Sequence, residues 1–408
     1  MSDSYDVAIV GAGIIGLAVA REIKWRRPGS RLIVIDKEDA VGQHQTGHNS
    51  GVIHAGVYYA PGSLKARLCV QGAALLREFC AEHEVPVAAC GKLIVAVRES
   101  ELARLAELEA RARENGVPGV RRIDAAQIAE IEPECRGVAA LHSPATAIVD
   151  FGAVARAIAS ELAAQGVTFA LGTEIRSVRR ERDRTVLTHA AGSYAAGWAV
   201  ACAGAWSDRL ATSAGGPADP RIVPFRGAYL RVAGEQPPVV RGLVYPVPDP
   251  ELPFLGVHIT RHIDGHVLLG PTALLVAARD GYGARPGRAA RAARDAADTL
   301  AWPGTWRLAR RFWRTGLDEL TMASWRRVFV RNCAQYVPRV EFLAFERRAV
   351  FGVRAQAVAR DGRLVDDFVL ARTPGVIHVR NAPSPAATSS LALAREIADR
   401  FEAASGTG

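Results

Sequence analysis

The sequence predicts an α/β protein in which a dinucleotide-binding domain alternates with a second, α+β portion built on a mixed sheet. Three observations carry this expectation. Residues 5–36 run as strand, glycine-rich turn, helix and strand. Residues 151–202 continue with a helical run followed by further strand-like runs, and residues 225–270 are short strands separated by turn residues, the pattern of an antiparallel sheet. At 408 residues the chain has room for about two to three domain-sized units, and 49% hydrophobic residues place it among globular rather than disordered chains.

The first segment is the most informative. Tyr5 to Val10 is apolar and strand-like, and Gly11, Gly13 and Gly16 follow in GxGxxG spacing. Ile14 and Ile15 open a helix that runs to Trp25 and stops at Pro28-Gly29, and Leu32 to Ile35 resumes as strand. In such a cradle the first glycine makes the tight turn, the second lets backbone approach a pyrophosphate, and the third lets helix and sheet pack closely. The phosphate charge then rests on a helix N-terminus. Asp36, twenty residues after Gly16 and followed by Lys37, is placed to bond an adenosine ribose and disfavours a 2'-phosphate, hence NADP.

Composition excludes several classes. No stretch of about 18 apolar residues lacks a charge, and no hydrophobic leader precedes the cradle, so the expected location is the cytoplasm or the cytoplasmic face of a membrane. Cys69, Cys80, Cys90, Cys135, Cys202 and Cys333 contain no CxxC pair, which argues for reduced thiols and against a zinc site; no metal is expected. The net charge of +9 suits an anionic membrane, an acidic substrate or nucleic acid, and does not choose among them.

Along the chain, 44–59 (HQTGHNSGVIHAGVYY) mixes glycines with polar and imidazole side chains and reads as a functional loop. Thr46, His48, Asn49, Ser50 and Gly51 suit the second half of a dinucleotide, with His54 and Tyr59 reaching the reacting centre. Helices are expected over 64–82, 99–115 and 124–131, and a strand at 91–97 opens the second domain. After a helix at 151–165 and strands at 167–171, 174–180 and 198–202, the stretch Ala203, Gly204, Ala205, Trp206, Ser207, rich in small residues, forms a turn beside the cofactor, and Trp206 and Ile175 are candidate cofactor contacts. Alternation in a strand over 254–260 puts His258 and Thr260 on one face. Residues 285–331 are Arg-rich helices holding Trp302, Trp306, Trp313 and Trp325, a mixture suited to a membrane interface, to stacked nucleic acid or to ordinary core. Arg354 stands alone in an apolar run at 349–359, where it needs an anionic partner, either substrate or an internal carboxylate. Asn381, Ala382, Pro383, Ala387, Thr388 and Ser389 form a turn entering the last helix, with Thr388 or Ser389 as its N-cap.

The cradle, HNSGVIHAGVYY at 48–59, GSLKARLCVQGAALL at 62–76, LPFLGVH at 252–258, GVRAQA at 352–357 and VRNAPSPAATSSLA at 379–392 together resemble the L-2-hydroxyglutarate dehydrogenase/oxidase family, within the D-amino acid oxidase-like oxidoreductases. The resemblance covers nearly the whole chain, apart from the more Arg-rich 285–331. It implies a noncovalent FAD, a glutathione-reductase-like FAD-binding Rossmann domain made of 1–85, 146–225 and 341–408, and a discontinuous substrate domain made of 86–145 and 226–340. It places the FAD pyrophosphate on Gly11, Gly13 and Gly16 and the flavin beside 381–389. The implied reaction oxidises L-2-hydroxyglutarate to 2-oxoglutarate by hydride transfer to flavin N5, with quinone or oxygen as electron acceptor. His54 or His258 is the candidate base, Arg354 the carboxylate clamp, and Tyr59 and Thr260 secondary contacts. The alternatives are an amino-acid or glycerol-3-phosphate oxidase of the same fold, or a tRNA-binding flavoprotein, although no nucleic-acid partner is expected.

Overall fold

The computed structural model describes residues 4–406 apart from 235, 237, 251, 253–255 and 283–287. An eight-stranded sheet carries the cradle. Its central strand Ser4–Val10 lies parallel to Leu32–Ile35 on one side and to Gly192–Ala201 on the other. Thr168–Ala170 extends the first side and Val376–Asn381 pairs in parallel with Gly192–Ala201. Parallel strands need both faces covered. One face is covered by helices Ile14–Arg26, Phe151–Ala164 and Ser390–Ser405, whose Leu17, Ile158 and Ile397 share a buried cluster with Val7, Ile9 and Val34.

The second sheet has nine strands in the order Leu274–Leu275, Arg221–Arg231, Val267–Gly270, His258–Arg261, Leu243–Pro246, Lys92–Ala96, Ala139–Ser143 and Arg121–Asp124, with Val350–Val358 also paired to Arg221–Arg231. It is mixed, because Leu243–Pro246 runs parallel to Lys92–Ala96 while its other neighbour is antiparallel. Helices Arg326–Ala334 and Trp313–Ser324 pack beside it through Phe329, Val330, Cys333 and Met322. The helical segment starting at Arg288, and Arg279 ahead of it, are docked onto the first sheet's side by charge: Arg279 pairs with Asp208 at 2.5 Å, both buried, and Arg209 pairs with Asp295 at 2.7 Å and Asp298 at 2.5 Å.

Several expectations change. Strand Val350–Val358, expected with the dinucleotide domain, runs antiparallel to Arg221–Arg231 from Arg221↔Val358 to Tyr229↔Val350, so both the segment 221–225 and Arg354 belong to the substrate sheet. Its neighbour strand starts before 226 for the same reason: the register extends to Arg221. The strand expected at 174–180 begins at Ser177, and the hairpin partner Arg184–His189, the strand Val369–Thr373 and helix Ser207–Ser213 were not anticipated. The two strands are short and carry no clean apolar alternation, and sheet pairing sets them. The strand expected over 254–260 is His258–Arg261; Phe254 and Leu255 lie outside the described residues. Ser389 is the N-cap residue of the last helix, as expected, although its side chain makes no capping hydrogen bond.

Candidate active site

A cavity of about 1460 Å³ runs between the two sheets, from the cradle to the face of the nine-stranded sheet. That exceeds the usual range for one small ligand, roughly 300–1,000 Å³. A dinucleotide together with a substrate accounts for the difference.

At the cradle the glycines are required by clearance. A Cβ on Gly11, whose φ is +111°, would lie 2.3 Å from Cys202 O, and one on Gly16 would lie 1.9 Å from Gly11 O. Gly13 has only Thr46 Oγ1 near, at 3.4 Å, and faces the cavity with Ile14 and Ile15. Ile14 N donates to Thr46 Oγ1 at 3.0 Å, and the Asp36 carboxylate accepts from Ala12 N at 2.6 Å and from Glu38 N at 2.9 Å. Each carboxylate oxygen keeps a further lone pair for a ribose hydroxyl. Lys37 sits over the Trp206 ring at 3.8 Å and pairs with Asp280 at 2.6 Å. Glu38, His44 and Asp280 bring ligand atoms within 4.8 Å of one another, and the Lys37 ammonium supplies the cation of that group.

His48, Asn49, Ser50, Ile175, Ala203, Gly204 and Trp206 all line the cavity, as do Asn381, Ala382, Pro383, Ala387 and Thr388. Asn381 Nδ2 donates to Val365 O and Asp367 O, while its buried Oδ1 has no hydrogen-bond partner. The Thr388 hydroxyl donates to Val52 O and accepts from His54 N, so it ties the C-terminal turn to the His54 loop instead of capping a helix. Gly51 and Ser389 were expected to touch the cofactor and do not line the cavity. Gly51 packs against the His262 ring, and a Cβ on Gly72 would lie 2.7 Å from Ser389 Cα, which shows how closely helix Leu64–Glu82 covers that residue.

The substrate end is one face of the second sheet, with Arg354, Tyr229, His258 and Tyr245 all in the cavity wall. His258 stacks on Tyr245 with centroids 3.9 Å apart and planes 6° apart, and meets the Tyr229 edge at 6.2 Å. Its Nδ1 bonds Thr260 Oγ1 at 2.9 Å. Thr260 itself is fully buried behind the imidazole and does not line the cavity, which removes it as a substrate contact. Tyr229 sits where Gly270 leaves space: a Cβ there would be 2.5 Å from the Tyr229 ring. Arg354 hydrogen-bonds Tyr229, and its charge also reaches Glu319.

His54, Tyr58 and Tyr59 also line the cavity, with Tyr59 bonded to Ser384 and His54 Nδ1 unpartnered. Burial, followed by the charges of Lys92 and Lys65, holds the His54 imidazole well below its usual range; burial, followed by Lys92, Arg354 and His54, does the same for His258. Both rings are therefore neutral at pH 7, the state in which an imidazole accepts a proton. Tyr229, Tyr245, Tyr58 and Lys65 were not picked out from sequence. Tyr58 and Lys65 lie within the motifs at 48–59 and 62–76, whereas the signal for Tyr229 and Tyr245 is only their period-two placement beside apolar neighbours.

A model of the family described as FAD-dependent oxidoreductase matches residues 6–400. The chain belongs to that family. FAD is accordingly the cofactor of this oxidoreductase, and the glycine clearances and the Asp36 carboxylate suit it. Over 418 aligned residues, 98% of this chain and 91% of the relative, the oxidoreductase is 44% identical to the mitochondrial L-2-hydroxyglutarate dehydrogenase of Nematostella vectensis. It is 40% identical to the L-2-hydroxyglutarate dehydrogenase of Indibacter alkaliphilus, over 95% of this chain and 96% of that one. Among solved structures, L-α-glycerophosphate oxidase from Mycoplasma pneumoniae with FAD bound matches at TM-score 0.74 and 21% identity, over 97% of this chain and 94% of that one, a likeness of fold.

Proposed function

We propose that this oxidoreductase converts L-2-hydroxyglutarate to 2-oxoglutarate, with His258 taking the hydroxyl proton and Arg354 holding a carboxylate. Bound FAD supplies the acceptor for the hydride from the substrate's C2. The observation that carries the residue assignment is the neutral, ring-locked His258: Thr260 and Tyr245 fix the imidazole, and Nε2 is left for the substrate. The Arg354 fork matches a carboxylate bidentately. His54, which also lines the cavity, is the second candidate base, and Tyr59 a further contact. The experiment is anaerobic bleaching of the flavin absorbance by L-2-hydroxyglutarate, with the D isomer, L-malate, glycine and glycerol 3-phosphate alongside. Bleaching by the L isomer alone is expected; bleaching by glycine or glycerol 3-phosphate instead would reassign the substrate.

We further propose that the enzyme works at the cytoplasmic face of a membrane and passes electrons to quinone. The four tryptophans of 285–331 are not alike. Trp302 is 4% exposed and its indole donates to Val358 O, whereas Trp306, Trp313 and Trp325 are 60%, 56% and 67% exposed. Leu317 and Leu320 lie exposed on the same helix as Trp313, beside Arg310, Arg311 and Arg314. Aromatic and aliphatic side chains flanked by arginines suit an anionic headgroup layer, and no helix among the described residues is long and apolar enough to cross a bilayer. Co-sedimentation with anionic liposomes is expected, and it should drop when Trp313, Leu317 and Trp325 are replaced by Ser. Undiminished binding would remove the segment from that role.

A further inference from the structure

Lys92 is 2% exposed and does not line the cavity, so the reaction as described leaves its charge unused. It sits on strand Lys92–Ala96, whose register sets Lys92 against Leu243 and Ile94 against Tyr245. Lys92 and Tyr245 therefore share a sheet face, and the Lys92 Nζ lies 4.3 Å from the Tyr245 ring centre and 5.1 Å from that of Tyr58. Tyr245 in turn stacks on His258. An ammonium, a phenol ring and an imidazole thus form one continuous column, the last member facing the cavity.

A lysine enclosed in this way is costly, and a methionine would fill the same space. Two aromatic faces offset part of that cost. No carboxylate pairs with Lys92 among the described residues. The titratable groups facing it are Tyr58, Tyr245, Cys69, Cys90, His54 and His258, and burial pushes both thiols up, Cys69 to about 12, so neither supplies an anion. His258 is faced additionally by Arg354 and His54 and by the neutral Tyr229 and Thr260. Burial lowers the Lys92 ammonium to about 8, so it still carries its charge at the lower pH where the imidazoles take up protons, and that charge is left to act on them.

We infer that Lys92 is a positioning residue: it braces the Tyr58–Tyr245 wall and, through its uncompensated charge, keeps His258 unprotonated between turnovers, ready to take the substrate's hydroxyl proton. The same repulsion helps His258 release that proton to the solvent that refills the cavity once the product leaves, so the base resets each cycle. This rests on the assignment of His258 as base.

The test is the pH dependence of kcat/KM for L-2-hydroxyglutarate in the full-length FAD-loaded enzyme, comparing wild type, Lys92→Met, Lys92→Arg and His258→Gln. The acid limb reports the base of the free enzyme. Removing the charge lets His258 hold its proton to higher pH, so in Lys92→Met the limb should move up by about one pH unit. In Lys92→Arg it should stay in place. A wild-type limb in flavin-loaded Lys92→Met overturns the inference. An acid limb that survives in His258→Gln instead overturns the base assignment, a distinguishable failure. Should Lys92→Met lose flavin, Lys92→Gln gives the same contrast. Flavin loss in both neutral variants, with retention in Lys92→Arg, would assign the charge to stability and overturn the inference as well.

Discussion

The two ends of the cavity are built on opposite principles. At the dinucleotide end the decisive residues have no side chain: Gly11 and Gly16 are where the backbone of the turn approaches Cys202 O and where the helix meets the turn. They lie within six consecutive positions, and Asp36 follows one strand later. At the substrate end the decisive residues are all side chain, and His54, Tyr229, Tyr245, His258 and Arg354 come from five separated stretches. Clearance is a local demand and leaves a local signature. The protonation state of an imidazole is collective, because it depends on every charge and ring the fold brings around it.

The sharpest way to break the comparison is at Gly16. Gly16→Ala adds one methyl where 1.9 Å is available, and the expected result is protein that purifies without flavin absorbance or fails to fold. A yellow, active Gly16→Ala enzyme would mean that the cradle is more deformable than its clearances state. Next in size is the tie between the two halves. Asp208→Asn leaves the enclosed Arg279 guanidinium without its carboxylate, and a loss of about 3–5 kcal/mol is expected in denaturant unfolding. A loss below about 1 kcal/mol would show that water or another acid takes over.

At the substrate end, His258→Ala should slow flavin reduction by about a hundredfold, whereas His54→Ala should slow it less. The reverse order, seen in stopped-flow reduction, would exchange the two roles. Arg354→Lys keeps the charge and loses the planar fork, so KM should rise about tenfold with a smaller change in kcat. An unchanged KM would take Arg354 out of carboxylate binding.

The smallest expected effect is on acid stability. His378, in the dinucleotide sheet, bonds Thr373, and burial followed by the neighbouring Arg380 lowers its pKa to about 4. Its folded value lies below the unfolded one of about 6.5, so the unfolded chain binds the proton more readily in between. Stability is therefore complete above pH 6.5 and falls as pH drops towards 4, at about 1.4 kcal/mol per pH unit for one proton. His378→Gln should flatten part of that slope in a Tm-against-pH series. An unchanged slope would assign the acid sensitivity to His54 and His258 at the other end, which are shifted in the same direction.

The sequence by itself determined the elements whose signals are periodic or punctuated. The helix expected over 64–82 is Leu64–Glu82, Gly116 ends the helix before it with φ +71°, and the first strand, turn, helix and second strand stand where the glycine spacing puts them. It also brought His258 and Thr260 to one face, because strand alternation is rigid. Only the tertiary structure decided that Thr260 lies behind His258 and away from the cavity, that Thr388 ties a loop, and that Arg354 stands on the substrate sheet. It alone placed Lys92 against the rings beside the base. Those outcomes follow from pairings between strands more than a hundred residues apart, such as Phe225 with Arg354 and Tyr245 with Ile94, and no local pattern encodes which strands will become neighbours.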